Sequence, residues 1–119
     1  MRRRDVRVHL YDVLSAADAI ASFIHGRSAA DYRKDLLLRS AVERQFEVLG
    51  EALGRALRTE PLLQERLPAA RRAVDFRNVI AHGYDILSAA TVWDIARNEL
   101  PALAHDVRAE LERRGSPTT

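Results

Sequence analysis

Arg77 and His82 stand five residues apart in the stretch Arg77-Asn78-Val79-Ile80-Ala81-His82-Gly83-Tyr84. These residue types suit phosphodiester cleavage. That reaction needs a base for the ribose 2′-OH, an acid for the leaving oxygen, and positive charge where the pentacoordinate phosphorus gathers negative charge. An imidazole titrates near neutrality and can act as base or acid. A guanidinium can hold a non-bridging oxygen through two N–H groups and stabilise the charge that develops. One histidine does not easily perform both proton transfers in a single pass. A two-fold dimer would bring a second Arg77/His82 pair to a shared cleft. Asn78 could bind phosphate, fix the His82 tautomer or cap a helix end. A structural role for His82 also stands, as a ring facing the negative end of a helix dipole.

Other chemistries find little support. The chain has no cysteine, which excludes a disulfide scaffold, a thiolate nucleophile and a cysteine zinc site. No phosphate-binding glycine loop, dinucleotide fingerprint or His-Glu-x-x-His pattern occurs. The histidines are His9, His25, His82 and His105, and no two are spaced as a helical metal pair. No metal and no cofactor is expected. The Arg-x4-His spacing by itself is a weak signal, and Arg4 to His9 repeats it. Inside a helix, five residues turn two side chains roughly 140° apart, so Arg4 and His9 should diverge. The copy at Arg77 straddles an expected helix end, where the chain can bend and let both side chains reach one point. His9, His25 and His105 are read as surface or boundary residues.

Charge permits RNA as a partner without implying it. Nineteen basic residues face seventeen acidic ones, for a net charge of +2, and Lys34 is the single lysine. Arginine suits phosphate forks and stacking on bases, although a GC-rich genome supplies arginine too. No apolar run approaches membrane-spanning length. No signal-peptide core follows Met1-Arg2-Arg3-Arg4-Asp5-Val6-Arg7, and a twin-arginine reading fails for the same reason. The expected compartment is the cytoplasm, with no membrane partner.

The elements that must carry Arg77 and His82 are helical. Ala, Leu, Arg and Glu dominate and β-branched residues are scattered, so the 119 residues predict one all-α domain over 1–119. A first helix is expected from about Arg4 to Ile24, with Leu10, Val13, Leu14, Ala17, Ile20, Ala21 and Ile24 on one apolar face and Gly26 as its stop. A long second helix is expected from about Tyr32 to Arg58, capped by Asp31. Its core face carries Leu38, Val42, Gln45, Phe46, Leu49, Leu53 and Leu57. A second stripe, Arg39, Glu43, Glu47, Glu51 and Arg55, is charged at four-residue spacing. It is either a solvated face with internal ion pairs or a face that holds arginines of this chain or a partner. A third helix is expected from about Pro68 to Ala81, with Ala69, Ala73, Phe76 and Ile80 as buried candidates and Gly83 just past its end. The last should run from Ser88 to about Arg113, kinked by Pro101. The core is expected over about 4–112, with 113–119 as a frayed tail. Trp93, Phe46 and Phe76 are read as core or dimer-interface aromatics.

The octapeptide resembles the signature Arg-x4-His-x-Tyr of the HepT branch of HEPN domains. Residues Ala41-Val42-Glu43-Arg44-Gln45-Phe46-Glu47-Val48-Leu49-Gly50-Glu51-Ala52-Leu53 resemble that family's long second helix. Val92-Trp93-Asp94-Ile95 with Leu100-Pro101-Ala102-Leu103 resembles its last one. The resemblance implies a four- to five-helix up-down bundle, a homodimer, and a metal-independent ribonuclease toxin acting on tRNA or mRNA. It also implies a partner, a minimal nucleotidyltransferase antitoxin of the MntA type, which silences the toxin by transferring AMP to the motif tyrosine, here Tyr84. Arg77 and His82 would be catalytic, with Asn78 and Glu51 supporting. A non-catalytic HEPN module that binds RNA, nucleotide or a nucleotidyltransferase is the alternative, and a purely structural or antitoxin-like helical protein is a third reading.

Overall fold

The computed structural model describes residues 5–82 and 88–115, and every element among them is helical. Helix α1 (Val6–Ile24) opens at Asp5, whose carboxylate accepts the Arg7 backbone N–H at 2.9 Å. It ends at His25, and Gly26 takes the positive φ of +73° that stops a helix without strain. Val6, Leu10, Val13, Ala17, Ile20 and Ile24 are buried along it, as the 3.6-residue period predicts. Two positions depart from the expected face. Ala21 is exposed, and His9 is buried at 5% exposure rather than at the surface. His9 belongs to the stripe geometrically, three residues after Val6 and four before Val13, and its polar character hid this.

The expected long second helix is two helices. Ser28 caps a short α2 (Ala29–Lys34), accepting from Asp31 N at 3.0 Å while the Asp31 carboxylate accepts from Ser28 N at 2.9 Å. Asp31 is therefore the third residue of a capping box and not the cap itself. Asp35, with extended backbone, closes α2 and caps α3 (Leu36–Thr59), accepting from Leu38 N at 3.1 Å. The break lets α2 turn Tyr32 fully inward, where its ring meets Trp93 at 5.6 Å. Pro61 opens a 3-10 turn (Pro61–Glu65) after α3, and Leu63 and Leu67 plug the core beneath it.

Helix α4 (Ala70–Ala81) packs on α3 and is only partly covered. Ala70 is its one fully buried residue, while Ala69, Ala73, Phe76 and Ile80 are half-buried against the core. Ser88 caps α5 (Ala89–Asp94). A π-turn (Ile95–Glu99) follows, and α6 (Leu100–Arg114) completes the chain. The kink expected at Pro101 has this form. A proline lacks the N–H for residue 97 and its ring crowds that carbonyl. The widened turn relieves both conflicts and sets Pro101 in the first turn of a new helix, where no N–H is needed.

Helix α1 lies along α3, and α6 returns against α1. No described helix is long and apolar enough to cross a membrane. A charged clamp ties the end of α6 to the end of α3 and the turn after it. Glu110 is 3% exposed and meets Arg114 Nε at 2.6 Å, Arg66 Nε at 3.2 Å, and Arg113. Arg114 reaches on to both carboxylate oxygens of Glu60, at 3.1 and 2.5 Å. Arg113 and Arg114, expected to begin the tail, are thus part of α6, which Gly115 ends at φ +78°.

Candidate active site

The last two turns of α4 carry Arg77, Asn78 and His82. Arg77 points across to α3, where its Nη2 lies 3.4 Å from Glu51 Oε2. Its Nη1 donates to Asn78 Oδ1 at 3.1 Å. Glu51 is itself held by Arg55, whose Nη2 donates to Oε1 at 2.8 Å. The tighter contact is the one within α3, so Arg55 fixes the carboxylate and Arg77 rests against it. The side chain of Arg77 is 32% exposed, enough for its guanidinium edge to meet an anion from solvent.

His82 is the capping residue of α4 (φ −83°, ψ −5°), and its N–H still bonds to Asn78 O at 3.1 Å. The chain therefore stays near-helical through His82, so the bend expected to bring Arg77 and His82 to one point is absent and the backbone turns the two side chains roughly 140° apart. The ring instead folds back, with Nδ1 2.7 Å from the same Asn78 carbonyl. A carbonyl only accepts, so this contact assigns the proton to Nδ1 and leaves the lone pair of the neutral ring on Nε2. Asn78 thus links the two motif residues: its amide oxygen takes Arg77 and its backbone oxygen fixes the His82 ring. Of the three roles open to Asn78 from its position, one is met, the contact to the His82 ring, and the backbone oxygen makes it, while the side-chain oxygen takes Arg77 instead.

The charged stripe of α3 combines both of its expected roles. Glu47 meets Arg44 at 3.4 Å and Glu51 meets Arg55, which are internal pairs, and Glu51 also receives an arginine from α4. Burial pushes the Glu43 carboxyl above its ordinary range, with Arg39 opposing the shift and Glu47 adding to it. Phe46 and Phe76 meet edge-to-face at 5.1 Å beneath the motif and join α3 to α4. Among the described residues no group of metal-ligating side chains gathers at one point. His9, expected at the surface or a boundary, sits in the core. Tyr84, Gly83 and Arg4 lie outside the described residues.

One contributor escaped the sequence reading. Gly50 lies directly under Arg77, so close that a Cβ built on it would sit 2.2 Å from Arg77 Cβ and 3.1 Å from the Ala73 carbonyl oxygen. The signal was a glycine in the middle of a long helix, which costs about 1 kcal/mol against alanine and calls for a packing reason.

Fold and site together define a small all-α protein with an arginine and a histidine on one helix end and a carboxylate supplied from the helix beneath. The chain belongs to the HepT-like family, described as Ribonuclease HepT-like, which matches residues 13–110 and so spans Glu51, Arg77, His82 and Tyr84. Its relatives include three proteins of Methanocaldococcus jannaschii. Putative RNase MJ1380 is 28% identical over 109 residues, covering 90% of this chain and 97% of that protein. Putative RNase MJ0125 is 28% identical over 115 residues, covering 95% and 93%. Putative RNase MJ0127 is 30% identical over 101 residues, covering 85% and 83%. No solved structure matches the chain.

Proposed function

We propose that this chain is a metal-independent endoribonuclease, the toxin of a toxin–antitoxin pair, and that Arg77 and His82 cut RNA at the cleft of a homodimer. The observation that carries this reading is the double use of Asn78. It aims Arg77 with one oxygen and sets the His82 tautomer with the other. Nε2 of His82 takes the 2′-OH proton, the 2′-oxygen attacks phosphorus, and Arg77 holds the non-bridging oxygen on which charge grows. The 5′-oxygen leaves with a proton from the imidazolium of the second subunit's equivalent histidine. The products are a 2′,3′-cyclic phosphate and a 5′-hydroxyl.

Tyr84 follows His82 by two residues, within the reach of the same cleft by chain length. A minimal nucleotidyltransferase antitoxin transfers AMP from ATP to its hydroxyl and releases pyrophosphate. The added phosphate competes for Arg77, and the added bulk fills the cleft. The pair acts in the cytoplasm on tRNA or mRNA.

The test is RNA cleavage in EDTA by protein whose intact mass excludes AMP on Tyr84. Wild type is compared with His82→Ala and Arg77→Ala, each checked for helicity by circular dichroism. Loss of one transition-state hydrogen bond of this kind costs about a hundredfold to a thousandfold in rate. Absence of cleavage by unmodified wild type would leave a non-catalytic module that binds RNA, nucleotide or a nucleotidyltransferase, and folded variants that cut as fast as wild type would remove Arg77 and His82 from the reaction. Full activity in a homogeneous Tyr84-AMP sample would remove the silencing step alone.

A further inference from the structure

We infer that Gly50 is the positioning residue for Arg77. This rests on the reading of Arg77 as the phosphate-holding group, and its geometric part stands apart from that reading. Two helical glycines lie one turn apart on α3, both buried, and their surroundings differ. At Gly50 a Cβ would meet Arg77 Cβ at 2.2 Å, Arg77 Cγ at 2.8 Å and Ala73 O at 3.1 Å. At Gly54 it would meet only Arg58 Nη1, at 3.3 Å. The first set is the root of a side chain and a backbone carbonyl, which cannot yield. The second is the tip of a flexible arginine, which can.

The missing side chain at Gly50 therefore lets α4 seat Arg77 by its stem directly on α3. Two consequences follow for the head group. Its Nε is buried and has no hydrogen-bond partner among the described residues, so the stem is pressed into the helix crossing. Its two terminal nitrogens emerge beside Glu51, the next residue along α3, and Asn78, the next along α4. Ordinary contact begins at 3.4 Å, so a methyl at position 50 would force Arg77 Cβ away by about 1.2 Å. A displacement of that size at a reacting centre can lower a rate about a hundredfold. Gly50 touches no substrate and acts only through where it lets Arg77 stand.

The experiment compares Gly50→Ala with Gly54→Ala in the full chain, by two readouts. The first is hydrogen exchange of the Arg77 Nε–H, followed by nitrogen-15 NMR and assigned by its loss in Arg77→Lys. The second is RNA cleavage in EDTA. Gly50→Ala should speed Nε–H exchange and lower cleavage about a hundredfold, while Gly54→Ala changes neither. Added to Arg77→Gly, which removes the obstructing Cβ, it should lower the residual cleavage no further. Unchanged exchange in folded Gly50→Ala overturns the inference, as does a further loss in the Arg77→Gly background. Faster exchange with unchanged cleavage keeps the seating of Arg77 and overturns its catalytic use. If Gly50→Ala does not fold, the double variant with Arg77→Gly decides. Recovery of the fold identifies the Arg77 stem as the obstructing group, and continued unfolding means Gly50 serves the Ala73 backbone instead.

Discussion

Replacing Arg114 with alanine should destabilise the protein well beyond what a surface arginine would. Arg114 donates to Glu110, which is 3% exposed, and to both oxygens of Glu60, which is 43% exposed. A hydrogen bond to a charged, buried partner is worth roughly 1.5–3 kcal/mol. The half-exposed Glu60 pair adds about 0.2–1 kcal/mol after screening. Glu110 retains Arg113 and Arg66, so the cost stays below the 3–5 kcal/mol of a fully orphaned buried charge. The expected loss is about 2–3 kcal/mol, or a fall in Tm of roughly 8–12 °C for a domain of this size. Arg108→Ala is the comparison: its pair with Asp18 is 3.4 Å long and exposed on both sides, so it should cost under about 1 kcal/mol. Burial alone would raise the Glu110 carboxyl, but hydrogen bonds from Arg114 and Arg113 outweigh it and hold it below its usual range, and Arg114 likewise lowers Glu60. A carboxylate lowered in the folded state stabilises it above the unfolded value, about 4.3, and this is lost as pH falls through the folded value. The gap in Tm between wild type and Arg114→Ala should therefore be full at pH 6 and shrink below about pH 4. Calorimetry across that range measures it. A fall of less than about 3 °C at pH 6, or a gap that widens in acid, would refute the reasoning.

Two further outcomes are expected. Glu51→Gln removes the carboxylate that occupies Arg77 in the free protein, and should tighten RNA binding up to about fivefold at low salt. Fluorescence anisotropy with a 2′-deoxy-substituted strand measures this, and weaker binding would mean Glu51 aims Arg77 more than it competes for it. Ser28→Ala breaks the capping box of α2 and should cost about 1 kcal/mol. A melt that does not shift would show that packing of Tyr32 holds α2 without its cap.

The helical class and the apolar stripes of α1 and α3 were legible in residue order, because a 3.6-residue period needs only sequence to be seen. So was the octapeptide, since its residues are neighbours in the chain. The split of α2 from α3 was also written there, in the Ser28/Asp31 capping box and in Asp35, but Asp31 alone competes as a plausible cap. Local signals of comparable strength cannot be ranked until one sees which leaves Tyr32 facing Trp93. The burial of His9 follows the period and was masked by residue type.

Arg77, Asn78 and His82 are paired with their chemistry by residue identity, and the interval between them is a property of the chain. How they are held is not. Glu51 lies 26 residues from Arg77 and meets it only because α4 folds back on α3. Gly50 matters only because that crossing is close enough to exclude a methyl group. The Glu60–Arg114–Glu110 clamp joins positions 54 apart in the same way. Local periodicity and capping are short-range and are encoded residue by residue. The approach of two helices depends on every side chain between them, so the tertiary structure alone decides which arginine rests on which carboxylate and how far its head group can reach.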